Sequence, residues 1–86
     1  MKVQNMTGRT GREVANQFII ERDGAIYFQS YQSIIARKWC GRVALDQNKW
    51  DYSTTTGKYR NQFLGETKKE TEKKIASGEY ILTDLN

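Results

Sequence analysis

The hydrophobic and polar positions of this chain change period partway along, and the change divides it into a strand-forming part and a helix-forming part. From Val14 to Arg22 the residues alternate, with Val14, Asn16, Phe18 and Ile20 on one side and Ala15, Gln17, Ile19 and Glu21 on the other, as a half-buried strand requires. Asp23-Gly24 follows, a dipeptide that accepts the positive φ values of a tight hairpin, so Ala25 to Gln29 is expected to return antiparallel. Ser30-Tyr31-Gln32 bends the chain into a third strand, Ser33 to Trp39, and Cys40-Gly41-Arg42 turns it into a fourth, Val43 to Leu45.

Beyond Leu45 the spacing becomes helical. Thr55 or Thr56 is placed to cap a short helix in which Tyr59 and Phe63 share a face, and Gly65 sits where a left-handed terminal residue belongs. Thr67-Lys68-Lys69-Glu70 fits a capping box, Glu70 and Lys74 are spaced for an i,i+4 ion pair, and Gly78 stops this second helix. Glu79 to Leu82 reads as a last strand returning to the sheet. The expectation is one α+β domain over 1–86: a mainly antiparallel sheet, built from a β-meander plus a C-terminal strand, with two short helices on one side. Phe18, Ile20, Ile26, Phe28, Ile34 and Trp50 are the expected core. Residues 1–13 read as a mobile basic arm, in which Thr7-Gly8-Arg9-Thr10-Gly11-Arg12 offers backbone amides and the Arg9 and Arg12 guanidiniums to a phosphate.

Composition narrows the function classes. The net charge of +4 lies wholly in the first fifty residues, where eight basic side chains face Glu13, Glu21, Asp23 and Asp46; the remainder carries six of each sign. A basic balance favours acidic partners such as nucleic acid. With no histidine and one cysteine, Cys40, the chain lacks an imidazole base, a Cys/His pair and an intramolecular disulfide, so neither an enzyme nor a bound cofactor is expected. Asp46 and Asp51, on either side of Trp50, are a weak metal pair that more often caps a turn. The opening residues lack the apolar run of a signal peptide and no stretch reaches the roughly 20 apolar residues of a membrane span, which points to a cytoplasmic protein without a membrane partner.

Two surfaces carry candidate recognition chemistry. The Trp50 to Phe63 segment combines rings with donors, and Tyr52, Thr55, Thr56, Lys58, Tyr59 and Arg60 are its candidate partner-binding residues. Thr55, Thr56, Lys58 and Arg60 are expected to point outward, so that changing Lys58 and Arg60 together to alanine leaves the melting temperature unaltered. Alternatively, Tyr27 and Tyr31 form a stacking platform with Arg22, Arg37 and Lys38, supplemented by Arg9 and Arg12, for direct nucleic-acid binding.

At Phe28-Gln29-Ser30-Tyr31, and at Trp50-Asp51-Tyr52-Ser53 followed by Thr55-Thr56, Lys58-Tyr59 and Phe63-Leu64-Gly65, the chain resembles a family of small uncharacterised proteins encoded by bacteriophages and related mobile elements of gut bacteria. The resemblance implies an accessory binding protein in a bacterial host cell. Three roles stay open: inhibition of a host defence machine, for example of a CRISPR-type nuclease, at a protein or nucleoprotein surface; direct nucleic-acid binding; and sequestration of a nucleotide signal by the threonine cluster and Lys58. Mimicry of DNA by an acidic surface does not suit a basic chain.

Overall fold

A computed structural model describes the whole chain, Met1–Asn86. Six strands form one sheet in chain order: β1 (Lys2–Thr7), β2 (Glu13–Arg22), β3 (Ala25–Ser30), β4 (Ser33–Trp39), β5 (Arg42–Asp46) and β6 (Tyr80–Thr83). The first five are antiparallel neighbours, while β6 lies parallel to β5, with Val43 beside Tyr80 and Leu45 beside Leu82. Helices α1 (Thr54–Leu64) and α2 (Lys68–Ala76) fill the crossover that a parallel neighbour demands. The expected α+β architecture is therefore present, and none of its helices is long and apolar enough to cross a membrane.

One strand was not anticipated. Lys2–Thr7 lacks the apolar alternation that marks a strand, yet it pairs with β2 through Lys2–Glu21 to Asn5–Phe18. Residues 1–13 are thus an edge strand and a turn rather than a mobile arm. The Gly8 and Gly11 amides offered to a phosphate instead donate within the turn, to the carbonyls of Arg12 and Gly8.

Register assigns the two faces. Ile19, Phe28, Ala36 and Leu45 are successive cross-strand partners, as are Ile26, Lys38, Val43 and Tyr80, and these rows face the helices. The core is formed by Phe28, Ile35, Leu45 and Met6 against Tyr59 and Phe63, with the Phe28 and Phe63 rings 5.8 Å apart. The expected core needs correction here. Phe28 is central and Trp50 packs at its edge, but Phe18, Ile20 and Ile34 belong to the opposite face and Ile26 is exposed. A β-bulge is the reason on β4: Phe28 pairs with Ala36 and Gln29 with Ile34, so Ile35 is the extra residue and turns inward beside Ala36.

Local chemistry fixes the helices. The Ser53 hydroxyl, not Thr55 or Thr56, accepts from the Thr56 amide to cap α1, and Gly65 ends it at φ 71°, a left-handed value that a Cβ disfavours. The Thr67–Glu70 capping box of α2 is complete. Glu70 is committed to that box, so Lys74 pairs with Glu66 instead, at 2.8 Å. Glu66 also accepts from the Thr71 and Tyr80 hydroxyls, tying the two helices to β6. Burial pushes the Glu66 carboxyl up, but these hydrogen bonds outweigh it and hold the group below the usual carboxylate range. Burial and the bond to Glu66 together push the Tyr80 phenol up to about 12.

Candidate functional site

The Trp50 to Phe63 segment turns much of its polar chemistry inward. Arg60 is 1% exposed; its guanidinium donates to the Trp50 carbonyl at 2.8 Å, to Asp51 at 2.9 Å and to the Asn61 amide oxygen at 3.0 Å, and it stacks over the Trp50 ring. Thr56 is fully buried, and its hydroxyl meets those of Ser30 and Ser53 at 2.9 and 3.0 Å. Tyr59 lies in the core. The outward placement expected of Thr56 and Arg60 is therefore wrong: helical spacing puts positions 56, 59, 60 and 63 on the side that packs on the sheet. Tyr52, Thr55 and Lys58 are exposed, Tyr52 at 44%.

A shallow recess of about 660 Å³ opens beside the start of α1, between Tyr52, Thr54 and Lys58. At its base Asp51 bridges Arg60 and Lys68, the latter at 2.7 Å. Burial pushes the Asp51 carboxyl up, but its bonds to Lys68 and Arg60 outweigh that and keep it below the ordinary range. Two of the three cations lining this recess, Arg60 and Lys68, are thus already neutralised, and Lys58 is the one without a carboxylate partner. Asp46 is separately engaged, accepting the Leu85 and Asn48 amides, so it forms no pair with Asp51. No three His, Cys, Asp or Glu side chains gather as a metal site requires.

The face of the sheet away from the helices offers different chemistry. Val3, Ile20, Tyr27, Arg37, Ala44 and Ile81 form one row across all six strands, and Trp39 beside Arg42 continues it along β4 and β5. The Arg37 guanidinium stacks on Trp39 at 4.3 Å and on Tyr27 at 5.7 Å, while Arg22 approaches the same tyrosine at 5.8 Å. No carboxylate lies within ion-pair distance of Arg37, and its buried Nε has no hydrogen-bond partner. A half-buried guanidinium without a counter-charge is uncommon, because desolvation of the cation is then unrelieved.

Beside this stack lies a recess of about 440 Å³, walled by Ile20, Ile34 and Leu85 and flanked by Arg22, Arg37 and Asp84. The segment after β6 folds onto this face to complete it. The Leu85 amide donates to Asp46 at 2.9 Å, and the Asn86 side chain holds both backbone groups of Ile34 at 2.7 and 3.0 Å.

Of the residues expected in a nucleic-acid platform, Tyr27, Arg22 and Arg37 come together and the others do not. Lys38 points to the helical face, where its Nζ donates to the Phe63 carbonyl; burial pushes its pKa down. Tyr31 leaves the strand at φ 57° in the β3–β4 turn, so it does not share Tyr27's face. Arg9 and Arg12 are exposed beyond the end of β1. Trp39, Asp84 and the recess were missed. Trp39 could have been read from its two-residue spacing to Arg37, whereas Asp84 arrives by a fold-back with no local sequence signal.

Together these features define a small α+β domain with one helix-covered sheet face and one open, aromatic and cationic face. The chain belongs to the family of unknown function DUF8033, whose family model matches residues 1–79. Comparison with the curated proteins and with the solved structures finds no match.

Proposed function

We propose that this domain is a non-catalytic binder that holds single-stranded nucleic acid on the open face of its sheet. Arg37 carries the reading: a guanidinium stacked on two rings, with no carboxylate of its own, is prepared for an anionic ligand with flat groups. Arg22 and Arg42 extend the charge along the face, and Tyr27 and Trp39 supply surfaces on which unpaired bases stack. Bases in a duplex are already stacked and present only their edges in the grooves, so a single strand suits rings displayed on a sheet.

A protein-binding inhibitor that acts through Tyr52 to Tyr59 has less support, since Thr56, Tyr59 and Arg60 serve the core. The phage or mobile-element context implied by the sequence resemblance suits the proposal equally well. There the domain would engage host nucleic acid or a nucleoprotein machine.

The test is fluorescence anisotropy of a labelled dT12 strand at 50 and 200 mM salt. With three arginines neutralising phosphates, the log–log salt slope is expected near about −2, a loss of roughly twentyfold across that interval. Arg37→Ala should weaken binding at least tenfold, and Lys69→Ala, on the exposed side of α2, should not. Absence of binding at 50 mM salt, or equal effects of the two variants, would refute the proposal.

A further inference from the structure

We infer that the recess beside Arg37 is a nucleobase pocket selective for guanine, an inference that rests on the nucleic-acid reading of the open face. At about 440 Å³, the recess lies within the range of small-ligand sites, and its walls, Ile20, Ile34 and Leu85, are apolar enough to take a flat ring. Its polar atoms are of two kinds. Arg37 offers guanidinium N–H donors, while Asp84 and Gln29 offer acceptors.

The acceptors are held by the chain itself. The Asn86 amide donates to Asp84 Oδ1 at 2.9 Å, which leaves Oδ2 and a second lone pair of Oδ1 available. Gln29 Nε2 donates to the Tyr31 carbonyl at 2.8 Å, which fixes the side chain and leaves Oε1 available. Asp84 is also the one carboxylate lining the recess.

Guanine alone among the four common bases combines two adjacent donors, N1–H and the 2-amino group, with two adjacent acceptors, O6 and N7. A carboxylate accepts from the first pair and a guanidinium donates to the second. Adenine and cytosine each give the carboxylate a single amino group, beside an acceptor nitrogen that repels it. Thymine gives one imide N–H flanked by two carbonyls.

The experiment compares labelled T-tracts of equal length that carry one central dG, dA or dC, so that runs of guanine cannot associate with one another. Anisotropy should show the dG strand binding about tenfold tighter than the other two. Asp84→Asn, in an exposed segment outside the core, should bring the three strands within about twofold of each other. Circular dichroism of that variant checks that the fold is intact. If all three strands bind the native protein equally, the pocket inference fails while the nucleic-acid reading stands; if no strand binds, both fail. A dG preference that survives Asp84→Asn also overturns the assignment.

Discussion

Arg60→Ala is expected to be among the most destabilising substitutions in this chain. The side chain is 1% exposed and holds three acceptors, so truncation strands the Trp50 carbonyl, leaves a void under the Trp50 ring and frees one side of Asp51. Breaking a buried ion pair by removing one partner costs about 3–5 kcal/mol. Here the lower end applies, because Asp51 is 30% exposed and keeps Lys68 at 2.7 Å. A domain of this size has a total stability on the order of 4–13 kcal/mol, so a loss of about 3 kcal/mol is a large fraction of it. At roughly 4–8 °C per kcal/mol, the melting temperature should fall by about 12–24 °C. Lys58→Ala, two residues away on the opposite, exposed side of α1, should shift it by no more than about 4 °C. Thermal unfolding followed by far-UV circular dichroism, with urea denaturation as a second measure, makes the comparison. An Arg60→Ala protein that melts within 4 °C of the native one would refute the structural role. The outcome also bears on the expectation that the Lys58/Arg60 double change is silent in stability: the double variant should lose as much as Arg60→Ala alone.

Three further outcomes follow from the same geometry. Glu66 and Asp51 titrate below their ordinary values, so the native state binds fewer protons than the unfolded chain; stability should be full above about pH 4.5 and fall as acid takes the pH through the lower folded values. Glu66→Gln should flatten that acid limb in urea titrations between pH 2 and 6, and an unchanged limb would sink the assignment. Ser53→Ala removes the α1 cap and should cost about 1 kcal/mol by chemical denaturation, while Thr55→Ala should cost under about 0.5. Gly65→Ala meets open space but a φ of 71°, so it should lose about 1 kcal/mol through backbone strain alone; a neutral result would show that the turn relaxes.

Features encoded by neighbours in sequence were legible in advance. The Asp23-Gly24 hairpin, the Thr67–Glu70 capping box and the Gly65 stop each depend on a few adjacent residues, and each stands where the pattern placed it. What the pattern missed depends on distant partners. Lys2–Thr7 is a strand because β2 offers it an edge, not because its own residues alternate. Face assignment failed where the register slips. Asn16, at φ 65°, lies in an irregular stretch where β1 and β2 fall out of step, and the extra residue at Ile35 reverses the alternation of β4. Gln17 consequently lies fully buried on the helical side while Phe18 goes to the open one. In the candidate sites, Tyr27 and Arg37 could be paired from sequence because they oppose each other on adjacent strands. The inward turn of Arg60 could not, since an arginine on a short helix is ordinarily solvated and its acceptors at Trp50, Asp51 and Asn61 are what make its burial favourable.

The parallel seam between β5 and β6 also sets an order of assembly. Strands β1 to β5 can zip together through successive hairpins, each closing a short loop, whereas Val43 meets Tyr80 only by closing the long crossover that carries both helices. The last strand to arrive at an edge is also the one that can detach with the fewest pairings broken, so β6 is the natural place for local opening. Its departure would carry away the fold-back at Leu85 and Asn86, and with it one wall of the recess on the open face. Amide hydrogen exchange should therefore be faster in β6 than in β3 or β4, and a ligand seated against Asp84 would slow exchange in a strand that it does not touch.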